Sequence, residues 1–296
     1  MRIGIVTLNF NNSKETLELL RSLIDQTDFD FETIVVDNAS EESDFINLQT
    51  NISTSQVDYP QVKVVRNREN LGFSEGNNVG IRQTLKNGSD WVVLLNNDTW
   101  VERDFVERLR AVLSAKNGVV GIPLTEESQI AYCGKIQWLK PTLIHMTDLR
   151  CRSVDKSQVY AIGGAMAVHK DIFEKISLLD EKYFLYFEDA DFSVQARKAG
   201  FDISIAENLS VHHRVSSTTK KLGSSLLLRY HFRNALYFNL KNGPWYIKLL
   251  VWPWSLVIVI KQLSKMAIKH DIEQSKAILL GVVDFYKNKM GQVVDF

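Results

Sequence analysis

The sequence predicts an α/β fold built around a mainly parallel sheet, and three observations carry that expectation. Short apolar runs read as buried strands at IGIVTL from Ile3, at Thr33 to Val36, at Val62 to Val65 and at Trp91 to Leu95. The segments between them place apolar residues at helical spacing, as Leu17, Leu20 and Ile24 do after the first run. Strands alternating with helices imply parallel neighbours, because the chain must cross back over the sheet before pairing again.

Length and composition bound the rest. The 296 residues, 45% hydrophobic, suit one large domain with an appendage and can fill a continuous core. Lys plus Arg and Asp plus Glu both number 35, and a net charge of zero argues against general affinity for nucleic acid. Cys133 and Cys151 show neither metal-ligand spacing nor a disulfide framework, which predicts a reducing cytoplasm and no zinc. Met1 and Arg2 lead directly into the first strand, whose apolar run is too short for an export signal and ends at Asn9. No period repeats along the chain, and the irregular stretch from Thr125 to Gln158 is the place for an inserted hairpin or a mobile loop.

In open α/β sheets ligands bind beyond the carboxyl ends of the strands, and here every such end is polar. The first strand delivers Thr7, Asn9 and Asn11. The second, VVDNAS, delivers Asp37, Asn38 and Ser40. The third is followed by NLGFSEGNNVGI, with Asn70, Gly72, Gly76, Asn77 and Asn78, and the fourth ends LLNNDT with Asn96, Asn97 and Asp98. These are also ordinary turn residues. Four clusters at equivalent positions nevertheless suit a nucleotide: Asp37 to accept hydrogen bonds from base or ribose, Gly72 and Gly76 to let backbone approach, the asparagines to add uncharged donors and acceptors. Neither GxxxxGK[ST] nor GxGxxG occurs, which weakens ATPase and dinucleotide-dehydrogenase readings.

Asp98 can hold Mg²⁺ or Mn²⁺ if a bound diphosphate supplies further oxygens. The VHH segment after a strand at Ile203 to Ala206 offers an imidazole, His212 or His213; adjacent side chains on a strand face opposite ways, so one of the two is the candidate. An acidic trio, Glu188, Asp189 and Asp191, stands where Phe192, Ala196 and Ala199 begin a helical pattern that Gly200 stops. Such acids cap a helix and complement its dipole, or one of them is a general base.

From Leu222 the chain reads as helical, with a stop at Gly243 and Pro244, and then as WYIKLLVWPWSLVIVIKQLSKMAIKH. The uncharged stretch from Leu249 to Ile260 is too short to span a bilayer, which leaves a helix at headgroup level or one packed on the catalytic domain or in a dimer.

VVDNAS, NLGFSEGNNVGI, LLNNDT, the block GGAMAVHKDIFEKISLLDEKYFLYFEDADFSVQARKAGF and VHHRVSST, in that order, resemble the inverting family 2 glycosyltransferases, particularly the bacterial rhamnosyltransferase-like branch; RYHFRNALYFNLKN is similar to the same branch. The resemblance implies a GT-A fold: a Rossmann-like catalytic domain over residues 1–221, with a nucleotide-binding half to about residue 98 and an acceptor-binding half beyond it, followed by a helical extension over 222–296. It implies a nucleotide-diphospho-sugar donor, Mn²⁺ or Mg²⁺, and displacement with inversion at the anomeric carbon. By the same resemblance Asp189 is the catalytic base, Asp98 the last acid of the metal motif, with Asn96 where many members carry its first Asp, His212 the late metal-binding histidine, Asp37 the base-binding acid, and Gly163 and Gly164 the lining of the donor-sugar pocket. Thr7, Asn9, Asn38, Asn70, Gly72, Asn77, Asn96, Asn97 and Glu188 complete the expected substrate-binding set.

The expected reaction moves L-rhamnose from dTDP-rhamnose to a bacterial surface polysaccharide or a polyprenyl-linked acceptor, in the cytoplasm or at the inner face of the cell membrane, with homo-oligomerisation open. A UDP-sugar donor is the alternative within the fold; a sugar nucleotidyltransferase or a noncatalytic sugar-binding protein is the alternative outside it.

Overall fold

The computed structural model describes residues 1–54, 62–126, 129–140, 142–148, 154–213 and 224–293. Its centre is a seven-stranded sheet. Four parallel strands, β1 (Ile3–Asn9), β2 (Phe31–Asp37), β3 (Val62–Arg66) and β4 (Trp91–Leu95), lie in the order β3-β2-β1-β4. Three short strands extend it beyond β4: β12 (Ala165–His169), antiparallel to β4, then β6 (Val119–Gly121), then β13 (Ile203–Ile205) at the edge.

The alternation of side chains along a strand explains why β1 and β4, buried on both faces, are largely apolar, whereas the edge strand β3 carries Lys63 and Arg66. Trp91, Val93 and Leu95 of β4 enter one core with Ile3, Ile5 and Phe105, whereas Val92 and Leu94 enter another, on the opposite face, with Val6, Ile34 and Ile81. Helices cover both faces: α1 (Ser13–Ile24), α2 (Glu42–Thr54), α3 (Gly72–Lys86), α4 (Phe105–Leu113), α5 (Lys170–Ile176) and α6 (Glu188–Lys198). Helix α3 lies very close to the sheet. A Cβ on Gly80 would fall 2.3 Å from Val6 Cγ1, and one on Gly76 would fall 2.7 Å from Leu8 Cδ1. Gly76 thus serves helix packing, beside whatever backbone approach it allows a ligand.

The irregular stretch resolves into two small sheets. Strands β5 (Thr99–Trp100), β14 (Val211–His213), β7 (Leu124–Glu126) and β8 (Gln129–Ala131) form one, and the hairpin β9 (Cys133–Gln137) and β10 (Thr142–Met146) with β11 (Val159–Tyr160) forms the other. Cys133 at the start of β9 is buried and disulfide-bonded. This corrects the expectation of unpaired cysteines and removes the cysteine argument for a reducing compartment; the chain's other cysteine, Cys151, lies outside the described residues.

The chain ends in α7 (Ser224–Asn242), α8 (Trp245–Ala267) and α9 (Ile272–Tyr286), with Pro244 capping the start of α8 as the Gly243-Pro244 stop predicts. A small core of Leu236, Val251, Ile258, Ile278, Val282 and Phe285 joins them.

Candidate active site

The strand-end clusters do converge, but most of their side chains hold one another. Asp37 is fully buried: its Oδ1 accepts from Asn9 Nδ2 at 2.9 Å, its Oδ2 accepts from the Ser40 amide at 3.2 Å, and Arg66 Nε stands 3.5 Å from Oδ2. The expectation that Asp37 meets a base directly is therefore corrected for this conformation, since a carboxylate without exposed surface acts through the loop it organises. Asn9 bridges Asp37, Ser40, Asp44 and Thr16. Asn38 is a staple as well: its Nδ2 donates to Asn70 Oδ1 and the Gly72 carbonyl, and its Oδ1 accepts from Asn67 Nδ2 and the Leu71 amide. Asn77 donates to the Phe73 carbonyl within α3. Gly72, at φ +75°, leaves no room for a side chain because a Cβ would fall 2.5 Å from the Phe184 carbonyl oxygen. Its need for glycine comes from the 183–187 segment.

Asn96, Gly164, Gly163 and Asp189 form a continuous line. The Asn96 amide donates to the Gly164 carbonyl at 2.9 Å, and a Cβ on Gly164 would lie 3.2 Å from Asn96 Nδ2. On the other side the Gly163 amide donates to Asp189 Oδ2 at 2.9 Å. The two glycines thus sit between the LLNNDT segment and the acidic helix start. Asn97 turns away, donating to Thr16 Oγ1 at 3.0 Å.

Asp189 is aimed by an unusual turn. Tyr186 and Phe187 both have left-handed backbone, φ 72° and 77°, immediately before α6. Bulky residues avoid that region, and such strain collects at functional sites and persists only where the surroundings impose it. Asn234 of α7 supplies the restraint: its Nδ2 donates to the carbonyls of Leu185, at 2.8 Å, and Tyr186, at 3.1 Å. Phe187 packs against Phe238, and Phe184 stacks on Tyr230. The strained turn is clamped by the C-terminal helix.

The three acids have different environments. Asp191 is buried against Lys241, 2.8 Å from Oδ2, and Asn242, with Tyr183 Oη 3.3 Å away, so it holds structure. Burial raises the Asp189 pKa above the ordinary carboxylate value, with the amides of Gly163 and Ala190 pulling the other way. Glu188 is raised further, by burial first and then by the neighbouring Asp189 charge. Thr7 Oγ1, Asp98 Oδ1 and Glu188 Oε2 are buried without a hydrogen-bond partner among the described residues. Orphaned buried oxygens are rare, and all three of these belong to strand ends and the acidic turn.

Asp98, 6% exposed, meets His213 and not the expected His212. Strand alternation decides this: His213 Nε2 lies 3.2 Å from Asp98 Oδ1, in ion-pair range without hydrogen-bond alignment, while His212 turns outward, stacked on Trp100 at 3.7 Å and 3.1 Å from Glu102 Oε1. Burial favours neutral imidazole at His213, but Asp98 and Glu126 outweigh it and raise its pKa. Among the described residues no three His, Cys, Asp or Glu side chains surround one point. An unpartnered carboxylate oxygen beside an imidazole nitrogen does fit a divalent cation that draws its remaining ligands from substrate, and Mn²⁺ more readily than Mg²⁺.

Residues that sequence reading left out of the site do much of this positioning: Asn234, Lys241, Asn242 and Arg66. For the first three the signal lay in RYHFRNALYFNLKN, where polar residues interrupt an apolar helix; Arg66 stands apart at the end of β3.

The family described as Glycosyl transferase family 2 matches residues 4–177. The chain belongs to that family. Relatives of this glycosyltransferase include the dTDP-rhamnosyl transferase RfbF of Shigella flexneri, 22% identical over 77% of this chain and 79% of the relative. Another is the N-acetylglucosaminyl-diphospho-decaprenol L-rhamnosyltransferase of Mycobacterium tuberculosis, 21% identical over 76% and 82%. The expected rhamnosyltransferase-like branch is thereby borne out.

Among solved structures, Staphylococcus aureus TarS 1-349 in complex with UDP-GlcNAc matches with a TM-score of 0.60 and 14% identity, over 97% of this chain and 81% of that one. The mannosyltransferase PcManGT of Pyrobaculum calidifontis, with GDP-Man and Mn²⁺, matches with a TM-score of 0.58 and 13% identity, over 97% and 88%. The chain spans 40% of a longer TarS chain and 47% of a GalNAc-T7 chain. At these identities the likeness establishes the fold, and the GT-A expectation, a mixed α/β domain with a largely parallel sheet and a helical C-terminal region, holds.

Proposed function

We propose that this glycosyltransferase acts with inversion, moving L-rhamnose from dTDP-rhamnose to a glycan or polyprenyl-linked acceptor of a bacterial surface polysaccharide. The observation that carries the mechanism is the Asp189 carboxylate, held by the Gly163 amide and aimed from a strained, clamped turn beside the LLNNDT strand end. An acceptor hydroxyl is a weak nucleophile at neutral pH. Asp189 accepts its proton as the hydroxyl oxygen bonds to the anomeric carbon and the bond from that carbon to the donor diphosphate breaks, so the electron pair leaves with the nucleotide. No covalent enzyme intermediate is needed.

Asp98 and His213 are the residues that would hold the cation, which, when bound, offsets negative charge developing on the diphosphate. Glu188, whose carboxyl is buried and readily protonated, is positioned to orient the turn. The named rhamnosyltransferases support the donor, and one of them, acting on a decaprenol-linked sugar, supports a lipid-linked acceptor. We place the reaction in the cytoplasm at the inner face of the membrane, because a charged nucleotide sugar does not cross hydrocarbon unaided.

A donor screen with purified full-length chain, Mn²⁺ and each of dTDP-rhamnose, UDP-glucose, UDP-galactose and UDP-GlcNAc tests the reading through hydrolysis or transfer. Preferential turnover of dTDP-rhamnose is expected; preference for a UDP-sugar would replace the rhamnose assignment.

A further inference from the structure

Helix α8 is apolar on its outer face as well as its inner one. Its buried stripe is Ile247, Val251, Ser255, Ile258 and Gln262, and the polar members are satisfied inward: Ser255 Oγ pairs with Tyr286 Oη at 2.5 Å and Gln262 Oε1 accepts from Ser275 Oγ at 3.1 Å. Large apolar residues also point to solvent, with Trp245 74%, Leu249 63%, Leu256 59% and Ile260 55% exposed. Helix α9 buries Ile278, Val282 and Phe285 with Ser275 and an Asp284–Arg229 ion pair, and likewise leaves Leu280, Val283 and Tyr286 exposed. A soluble helix shows its polar face to water. An apolar face of this extent marks an interaction surface.

We propose that this face docks on the surface of an anionic bilayer, with α8 lying in the headgroup plane. Charge favours lipid over a second copy of the chain. Residues 245–270 contain Lys248, Lys261, Lys265 and Lys269 and no Asp or Glu, although the whole chain is neutral. Two copies would oppose like charges, whereas anionic headgroups complement them, and tryptophans next to lysines suit the membrane interface. Helix α8 is long and apolar enough over its full length to cross a membrane, so the placing of its charges, and not its length, favours lying over spanning. Helix α8 has 23 residues, but its uncharged part, 249–260, rises only about 18 Å against about 30 Å of hydrocarbon. Pro253 lacks the amide that would satisfy the Leu249 carbonyl, tolerable where water and headgroups reach and costly in hydrocarbon.

The face continues onto the catalytic part. Trp138 and the exposed Leu139, from the β9–β10 turn, line a groove of about 290 Å³ with Leu250, Pro253 and Trp254. Trp138 stacks on Phe238, the ring that meets Phe187 of the strained turn.

Flotation of the full-length chain with vesicles of phosphatidylcholine, alone or mixed with phosphatidylglycerol, tests the proposal without any assay of transfer. The wild type floats with anionic vesicles, and less with neutral ones. Leu249→Asp with Leu256→Asp lowers the bound fraction at least tenfold at unchanged melting temperature. Lys248→Ser with Lys261→Ser weakens binding to anionic vesicles about 25-fold, at about fivefold per lysine near a charged surface. Failure of the wild type to float, or wild-type flotation by the aspartate and lysine variants, overturns the proposal. A dimer in sedimentation that the aspartate variants dissociate would assign the face to a second copy, and resistance to alkaline carbonate extraction would assign α8 to a spanning position.

Discussion

The Gly163 amide donates to Asp189 Oδ2 at 2.9 Å, and a Cβ on Gly163 would stand only 3.0 Å from the Asp189 Cβ. The carboxylate is thus held by a backbone donor over a position where any side chain would crowd it. Gly163→Ala should push the acid off its line, lowering kcat by about tenfold or more, as small misplacements of reacting groups do, with little change in melting temperature. Steady-state kinetics at saturating donor read the effect.

Asp189→Asn keeps side-chain size and most helix-start compatibility but removes basicity. Transfer should fall roughly 10²-fold or more while folding and donor binding persist. Isothermal titration with donor and single-turnover transfer separate the two. Near-normal transfer would end the general-base assignment.

Glu188 gives stability a pH dependence. Its pKa is raised by burial and by Asp189, so at pH values above the ordinary glutamate range and below the folded value the native state holds a proton that the unfolded chain has released. Stability then falls as pH rises through that window and levels off above it. Glu188→Gln removes this contribution. The variant should melt higher than wild type near neutral pH and converge with it toward pH 4, in calorimetric scans across the range.

His213→Ala and Asp98→Ala should each abolish the metal-dependent gain in donor affinity, because their facing atoms are only 3.2 Å apart, whereas His212→Ala should keep it. Calorimetry with and without Mn²⁺ checks all three. Loss in the His212 variant alone would reverse the choice made by strand alternation.

Asn234→Leu removes both donors to the 185–186 carbonyls. Two half-buried acceptors left unpaired cost up to about 1–3 kcal/mol each, less where water reaches them, visible as a lower urea midpoint. Transfer should drop further than this loss of folded protein explains, because Asp189 loses its fixed approach; equal specific activity per folded molecule would show that the clamp serves stability alone.

Several features were readable in the chain itself. The parallel strands appear as apolar runs because both faces of β1, β2 and β4 are buried, and the start of α6 follows from the acidic trio and Gly200. Asp37 was harder. Its residue type and place at a strand end suit ligand binding, but whether it faces a crevice or its own loop depends on Asn9 and Arg66, which are distant in sequence. His212 and His213 differ by one step of strand register, which composition does not encode. The positive φ at Tyr186 and Phe187 had no local signal either, since the restraint comes from Asn234, about fifty positions later. Two cysteines gave too sparse a pattern to announce that Cys133 is disulfide-bonded.

Helix α7 holds the turn before Asp189 through Asn234 and packs against α8, so the proposed base and the lysine-bordered face are joined through one helix. On the proposed docking, where that face settles fixes the height of the acidic turn above the bilayer surface. A hydroxyl attached to a long anchored chain then need search in two dimensions only, and an acceptor of the wrong length passes above or below the carboxylate without being discriminated by any side chain in the pocket.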